Sequence, residues 1–258
     1  MFAKWLVLFR TLPFVGAVLG TRWLLKTTLN FEGLVDFSDV SVVLTAGVFL
    51  IGFMLSGVMA DYKESERLPA EIACMLEHLA NLLTSSRHSQ KDEATAAVRD
   101  EYLRLLDTIL AFLKRKATSD EVFDGLNRVA AAVRPIESVN KTIVFFAADL
   151  HGLRKQLARM NVISKTNFLA PGYALLEILV TGVLIVTTLA KYHSPVAQTL
   201  LQVFVPLVYV YMYRLIRDLD DPFEYTEGGA AGAAEVELFP IFEAAARIRR
   251  SPLLSQDA

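Results

Sequence analysis

Few side chains in this sequence stand where they could do covalent chemistry. The four histidines are scattered, Asp149 and His151 lie two apart and so face different sides of a helix, and no Glu-x-x-His pair occurs. That spacing disfavours a carboxylate-bridged metal pair inside a helical bundle. Phosphate-loop, dinucleotide-loop, zinc-protease and serine-hydrolase motifs are all missing, so those activities have no local support. Cys74 is the only cysteine, which excludes an intrachain disulfide and a thiolate zinc site and leaves a small packing residue. Asp218, Asp220 and Asp221 suit a hard cation in principle, but acidic residues at a helix exit are more often solvated. No catalytic residue, metal site or cofactor is expected. Two features remain. Thr45, Phe49 and Phe53 recur every four residues and share one helix face, and Glu177 stands alone in an apolar run.

The elements that position these residues belong to a membrane protein. Of 258 residues, 53% are hydrophobic and 21% charged, with mean hydropathy +0.39, too apolar for an ordinary soluble domain. With 26 Lys+Arg against 28 Asp+Glu, the formal charge of -2 provides no basic excess for nucleic acid. A span needs about 20 apolar residues to cross roughly 30 Å of hydrocarbon. Val40 to Ala60, Leu169 to Ala190 and Val196 to Tyr213 meet or approach that length. Trp5 to Leu25 is interrupted by Arg10, Pro13 and Arg22 and reads as a first span whose arginines snorkel or face other helices, with an interfacial helix as the alternative. A cleaved signal peptide fits poorly, because Arg10 falls in the apolar core such a peptide needs.

Thr27 to Asp39 has no Lys or Arg, whereas the region between the second and third spans is rich in both, so that region and both termini are expected in the cytoplasm. The expected organisation is two spans in 1–60, a cytoplasmic helical region in 61–168, two spans in 169–217 and a cytoplasmic tail in 218–258. Gly228 to Ala234 reads as a flexible turn. The fold class is therefore all-α, with four transmembrane helices and a helical bundle between the second and third.

Inside the bundle, apolar residues recur at helical spacing over 72–83, 98–113 and 122–133, with Ser85 to Lys91 as a polar loop. Thr118 with Glu121 is a capping-box start. From Pro135 onward, Ile136, Val139, Ile143, Phe146, Leu150, Leu153, Leu157 and Met160 step by threes and fours, a heptad seam that wants a partner helix. The partner is either within the chain or a second subunit. Gly47, Gly52, Ser56 and Gly57 are small enough to let helices approach closely. Glu177 is costly in hydrocarbon unless paired, and Arg10 or Arg22 is its expected partner.

The second span reads Phe49-Leu50-Ile51-Gly52-Phe53, continues through Ser56, Gly57 and Val58, and leaves through Tyr62, Glu66, Leu68 and Pro69. After the fourth span, Leu215-Ile216 is followed by Asp221-Pro222-Phe223-Glu224. Both runs, in this order, resemble those of the bestrophin family of anion channels. The resemblance implies a homo-oligomer of five subunits in lipid that conducts inorganic anions such as chloride, with Thr45, Phe49 and Phe53 at the neck positions. It also implies a carboxyl-terminal motif at Asp221, Pro222, Phe223 and Glu224. The family's acidic run is thinned here to Glu224 and Glu227, with Tyr225 and Thr226 between, so calcium gating is not expected. An apolar collar passes weakly hydrated anions more easily than strongly hydrated ones, and the positive edges of phenylalanine rings can face an anion. The same aromatics could instead pack between spans. A different class of function is a non-conducting membrane scaffold that binds a partner protein through the heptad helix.

Overall fold

A computed structural model describes residues 3–87, 93–136, 141–166, 170–223 and 234–251, and omits the side chains of 3, 4, 6, 86, 87, 93, 94, 136 and 141–143. The helices are α1 (Ala3–Leu29), α2 (Phe37–Arg87), α3 (Glu93–Leu113), α4 (Ser119–Val133), α5 (Lys141–Ile163), α6 (Ala170–Leu189), α7 (Pro195–Asp220) and α8 (Phe239–Arg250), with one 3-10 turn at Arg134–Ile136. The fold is all-α but for a parallel pair of two-residue strands, β1 (Val35–Asp36) and β2 (Ala190–Lys191). Gly33 permits that pairing. Its φ is +127°, and a Cβ there would lie 2.7 Å from the Lys191 backbone, so only glycine fits.

The chain divides into two compact units. The first comprises Met1–Tyr62, Asn167–Thr226 and Ala230–Glu235; the second comprises Lys63–Thr166, Glu227–Gly229 and Val236–Ala258.

In the first unit α2, α6 and α7 are long and apolar enough to cross a membrane; α1, carrying Arg10, Pro13 and Arg22, is not among them. Its core joins Leu44, Ile51, Met54 and Val58 of α2 to Leu176, Val180 and Val183 of α6 and Tyr209, Val210 and Ile216 of α7. α1 packs against α7 and α6 through a stripe of Val7, Thr11, Val15, Val18 and Arg22, stepping by threes and fours.

The second unit is a helical block made by the carboxyl half of α2 with α3, α4, α5 and α8. Thr118 and Glu121 form the expected capping box at the start of α4. The heptad seam finds its partner inside the chain. Phe146, Leu150, Leu153, Leu157 and Met160 are all buried, Phe146 lying edge-on to Tyr102 at 6.4 Å. Polar pairs along α5 fix which helix lies beside it. Asp149 stands 2.8 Å from His78, Gln156 donates to Glu71 at 2.8 Å, and Arg159 grips both carboxylate oxygens of Glu64 at 2.8 and 2.6 Å. Ascending numbers on α5 meet descending numbers on α2, so the two run antiparallel. Assigning these five apolar residues to a subunit contact is therefore corrected: their surface is already spent on the chain's own core. Val139 lies outside the described residues, as do the side chains of Ile136 and Ile143.

Pro69 follows the apolar run of the second span in the sequence. It lies inside α2, which runs through it to Arg87. A proline there loses the N–H that would reach back four residues and crowds the carbonyl it would have met, and Leu68 and Ile72, both buried, hold the helix on either side.

The Tyr102 hydroxyl donates to the Leu76 carbonyl at 2.6 Å, and burial pushes its ionisation well above the ordinary tyrosine range, so it acts as a donor at any physiological pH. Tyr102→Phe keeps the ring and removes one neutral hydrogen bond, worth about 1 kcal/mol. Thermal unfolding of the variant is expected to fall by a few degrees; an unchanged midpoint would show the bond contributes nothing.

Candidate ion pathway

α2 is buried on one side and bare on the other. Its inward positions Leu44, Ile51, Met54 and Val58 are at most 9% exposed. Phe49 is 79% exposed and Phe53 63%, and Thr45, Gly52 and Ser56 share their face, all exposed. The expectation that Phe49 and Phe53 might pack between the spans of one chain is thereby overturned. Other faces of the unit are bare as well: Trp5, Phe9, Phe14 and Trp23 on α1, Leu175, Ile178 and Ile185 on α6, and Val196, Leu200, Phe204 and Val208 on α7. Those suit lipid tails. The α2 face sets two aromatic rings among hydroxyls and a glycine.

The four small residues divide by role. Gly47 is buried, and a Cβ there would lie 2.8 Å from the Tyr209 hydroxyl and 3.2 Å from Leu179, so it admits α7 and α6 against α2. Gly57 is half-buried. Gly52 has nothing within 4 Å of its Cβ position and Ser56 is exposed, so neither packs helices within the chain; the expectation for these two is corrected.

Glu177 is also corrected. Its carboxylate accepts from the Tyr213 hydroxyl at 2.7 Å, and neither Arg10 nor Arg22 reaches it. Arg10 is exposed. Arg22 instead meets the far end of α6, donating from Nη1 to the Thr188 carbonyl at 3.1 Å and from Nη2 to the Glu32 carbonyl at 2.9 Å. Thr188 is eleven residues beyond Glu177, about 16 Å along a helix. The buried guanidinium thus caps the last turn of α6, where carbonyls lack intrahelical donors and the helix dipole is negative. The Phe31 ring covers it at 5.4 Å. Tyr192 and Gln202 supply the Thr187 carbonyl at 3.0 and 3.4 Å, and Leu34 N–H supplies Leu189 at 2.9 Å.

At the end of α7, Asp221 is half-buried and Pro222 and Phe223 are buried, while Glu224 lies outside the described residues. The turn expected over Gly228 to Ala234 lies there too, apart from Ala234. Among the described residues no group of three or more His, Cys, Asp or Glu is placed to hold a metal. Tyr209 and Tyr213 had no assigned partners in the sequence reading, and Arg22 had the wrong one. A polar group inside an otherwise apolar span is the signal that points to such residues, because each must find a partner there.

No protein-family model and no curated protein matches this sequence. Solved structures do match. A variant of a bacterial bestrophin homologue from Klebsiella pneumoniae superposes with a TM-score of 0.68 at 14% identity, covering 94% of this chain and 97% of that one. A second variant of that homologue gives 0.69 at 14% identity over 94% and 97%. A further structure of the homologue gives 0.67 at 14% identity over 93% and 96%. The likeness spans nearly the whole of both chains and is a likeness of fold.

Proposed function

We propose that this chain, an integral membrane protein with a bestrophin-like fold, is one subunit of an oligomeric anion channel whose neck is the bare face of α2. The observation that carries this reading is the exposed stripe of Thr45, Phe49, Gly52, Phe53 and Ser56 on a helix whose inward positions Leu44, Ile51, Met54 and Val58 are buried in its core. One such helix cannot enclose a passage, so copies must ring an axis and turn this face inward. The ring then has an apolar, aromatic constriction. An ion crosses it by shedding water, which favours weakly hydrated anions, and ring edges offer a positive rim where no cation is fixed. Chloride is the natural carrier, and five is the subunit number implied by the resemblance. α1 completes a set of four spans, with both termini on the cytoplasmic side.

A scaffold that binds a partner protein through the α5 seam is the weaker reading, because Phe146, Leu150, Leu153 and Leu157 are already covered. Mass measurement in native lipid, paired with planar-bilayer recording under a chloride gradient, tests the channel. A ring of five carrying anion-selective current at both high and vanishing calcium is expected. A stable monomer, or a ring that passes no anions, would sink the proposal.

A further inference from the structure

Tyr209 of α7 reaches into the backbone of α2 one turn before Phe49. Its side chain is 3% exposed, and its hydroxyl donates to the Leu44 carbonyl. Leu44 C=O and Val48 N–H are the two ends of a single i, i+4 helix bond. A side chain that inserts into that ladder changes the local pitch of a helix, as prolines and inserted waters do at kinks. Gly47 makes the insertion possible, since a Cβ at this position would fall 2.8 Å from the hydroxyl oxygen and 3.1 Å from the ring. The next residue after Val48 is Phe49, on the opposite, bare face.

We infer that Tyr209, seated over Gly47, is the positioning residue of the neck: by sharing the Leu44–Val48 bond it sets the pitch of α2 at that turn and so the direction in which Phe49 points. The inference rests on the channel reading and adds its control element, a contact between α7 and the pore-lining helix. It separates shape from polarity. The ring of Tyr209 belongs to the core, whereas its hydroxyl acts on the backbone, so Tyr209→Phe removes the second while keeping the first. Gly47→Ala reaches the same end from the other side, by displacing the hydroxyl from Leu44.

The test uses the full-length oligomer in planar bilayers and reads the thiocyanate-to-chloride permeability ratio, which a merely structural loss of yield does not move. Tyr209→Phe and Gly47→Ala are each expected to shift the ratio in the same direction by about twofold or more. The Tyr209→Phe shift is expected to vanish in a Phe49→Ala background, as it must if the hydroxyl acts through that ring. An intact Tyr209→Phe oligomer with the parental ratio, or a shift that persists without Phe49, overturns the inference. If Phe49→Ala alone alters the ratio while Tyr209→Phe does not, the neck stands and only the positioning role falls. Absence of anion current from the parent overturns both.

Discussion

Phe49→Ala and Phe53→Ala are each expected to raise unitary conductance while leaving the subunit folded. Removing a buried phenylalanine from a core costs about 3–5 kcal/mol, but these rings are 79% and 63% exposed and share no core with the spans of their own chain. Truncation therefore leaves the packing of α2 against α6 and α7 in place. What changes is the collar. Each substitution removes one ring per subunit from the constriction, widens it and lowers the barrier to wetting, so current rises and discrimination among anions weakens. Recordings of purified, intact oligomers under a chloride gradient decide the matter. Conductance and anion preference equal to the parent at both positions would assign the rings to lipid.

Arg22→Leu is expected to bring the largest loss of stability of any single change at the α1–α6 contact. Replacing a complete buried ion pair by apolar residues is often neutral, because both desolvation costs disappear together. Arg22 is a different case: its partners are backbone carbonyls of Thr188 and Glu32, which stay behind when the guanidinium leaves. The buried Thr188 carbonyl left without its donor costs about 1–3 kcal/mol, while at the exposed Glu32 water takes the place of the guanidinium. The variant is expected to lose about 1–3 kcal/mol. Arg22→Lys restores the charge but not the two-armed reach to carbonyls on separate segments, so it recovers only part. Thermal unfolding in detergent, followed by gel filtration, measures both; a Leu variant as stable as the parent would refute the cap.

What could be read in the sequence was local. Thr118 and Glu121 announce the start of α4 because a capping box is written within four residues, and the apolar runs of α2, α6 and α7 declare themselves by length. The helical class follows from the same periodicities. What could not be read was which partner each polar group would choose. Glu177 was matched to an arginine by charge, yet geometry offers it Tyr213, since Arg22 is held at the other end of α6. The heptad seam was visible, but a seam does not say whether its complement is the same chain; the pairs from Asp149 to His78 and Arg159 to Glu64 settle that through contacts far apart in sequence. The bond from Tyr209 to the Leu44 carbonyl joins positions separated by 165 residues, beyond any pattern of spacing.

The cap on α6 also fixes an order of events during synthesis. Arg22 and Thr188 are 166 residues apart, so the guanidinium is made long before the carbonyl it serves. At about 5–20 residues per second, the interval is roughly 10–30 s. Until then the cation has no α6 carbonyl to hold. The Leu34–Leu189 hydrogen bond and the β1–β2 pairing depend on the same late segment. The end of α1 is thus secured from behind: its final seat exists only once α6 has been made, and the earliest helix of the chain is among the last to be locked.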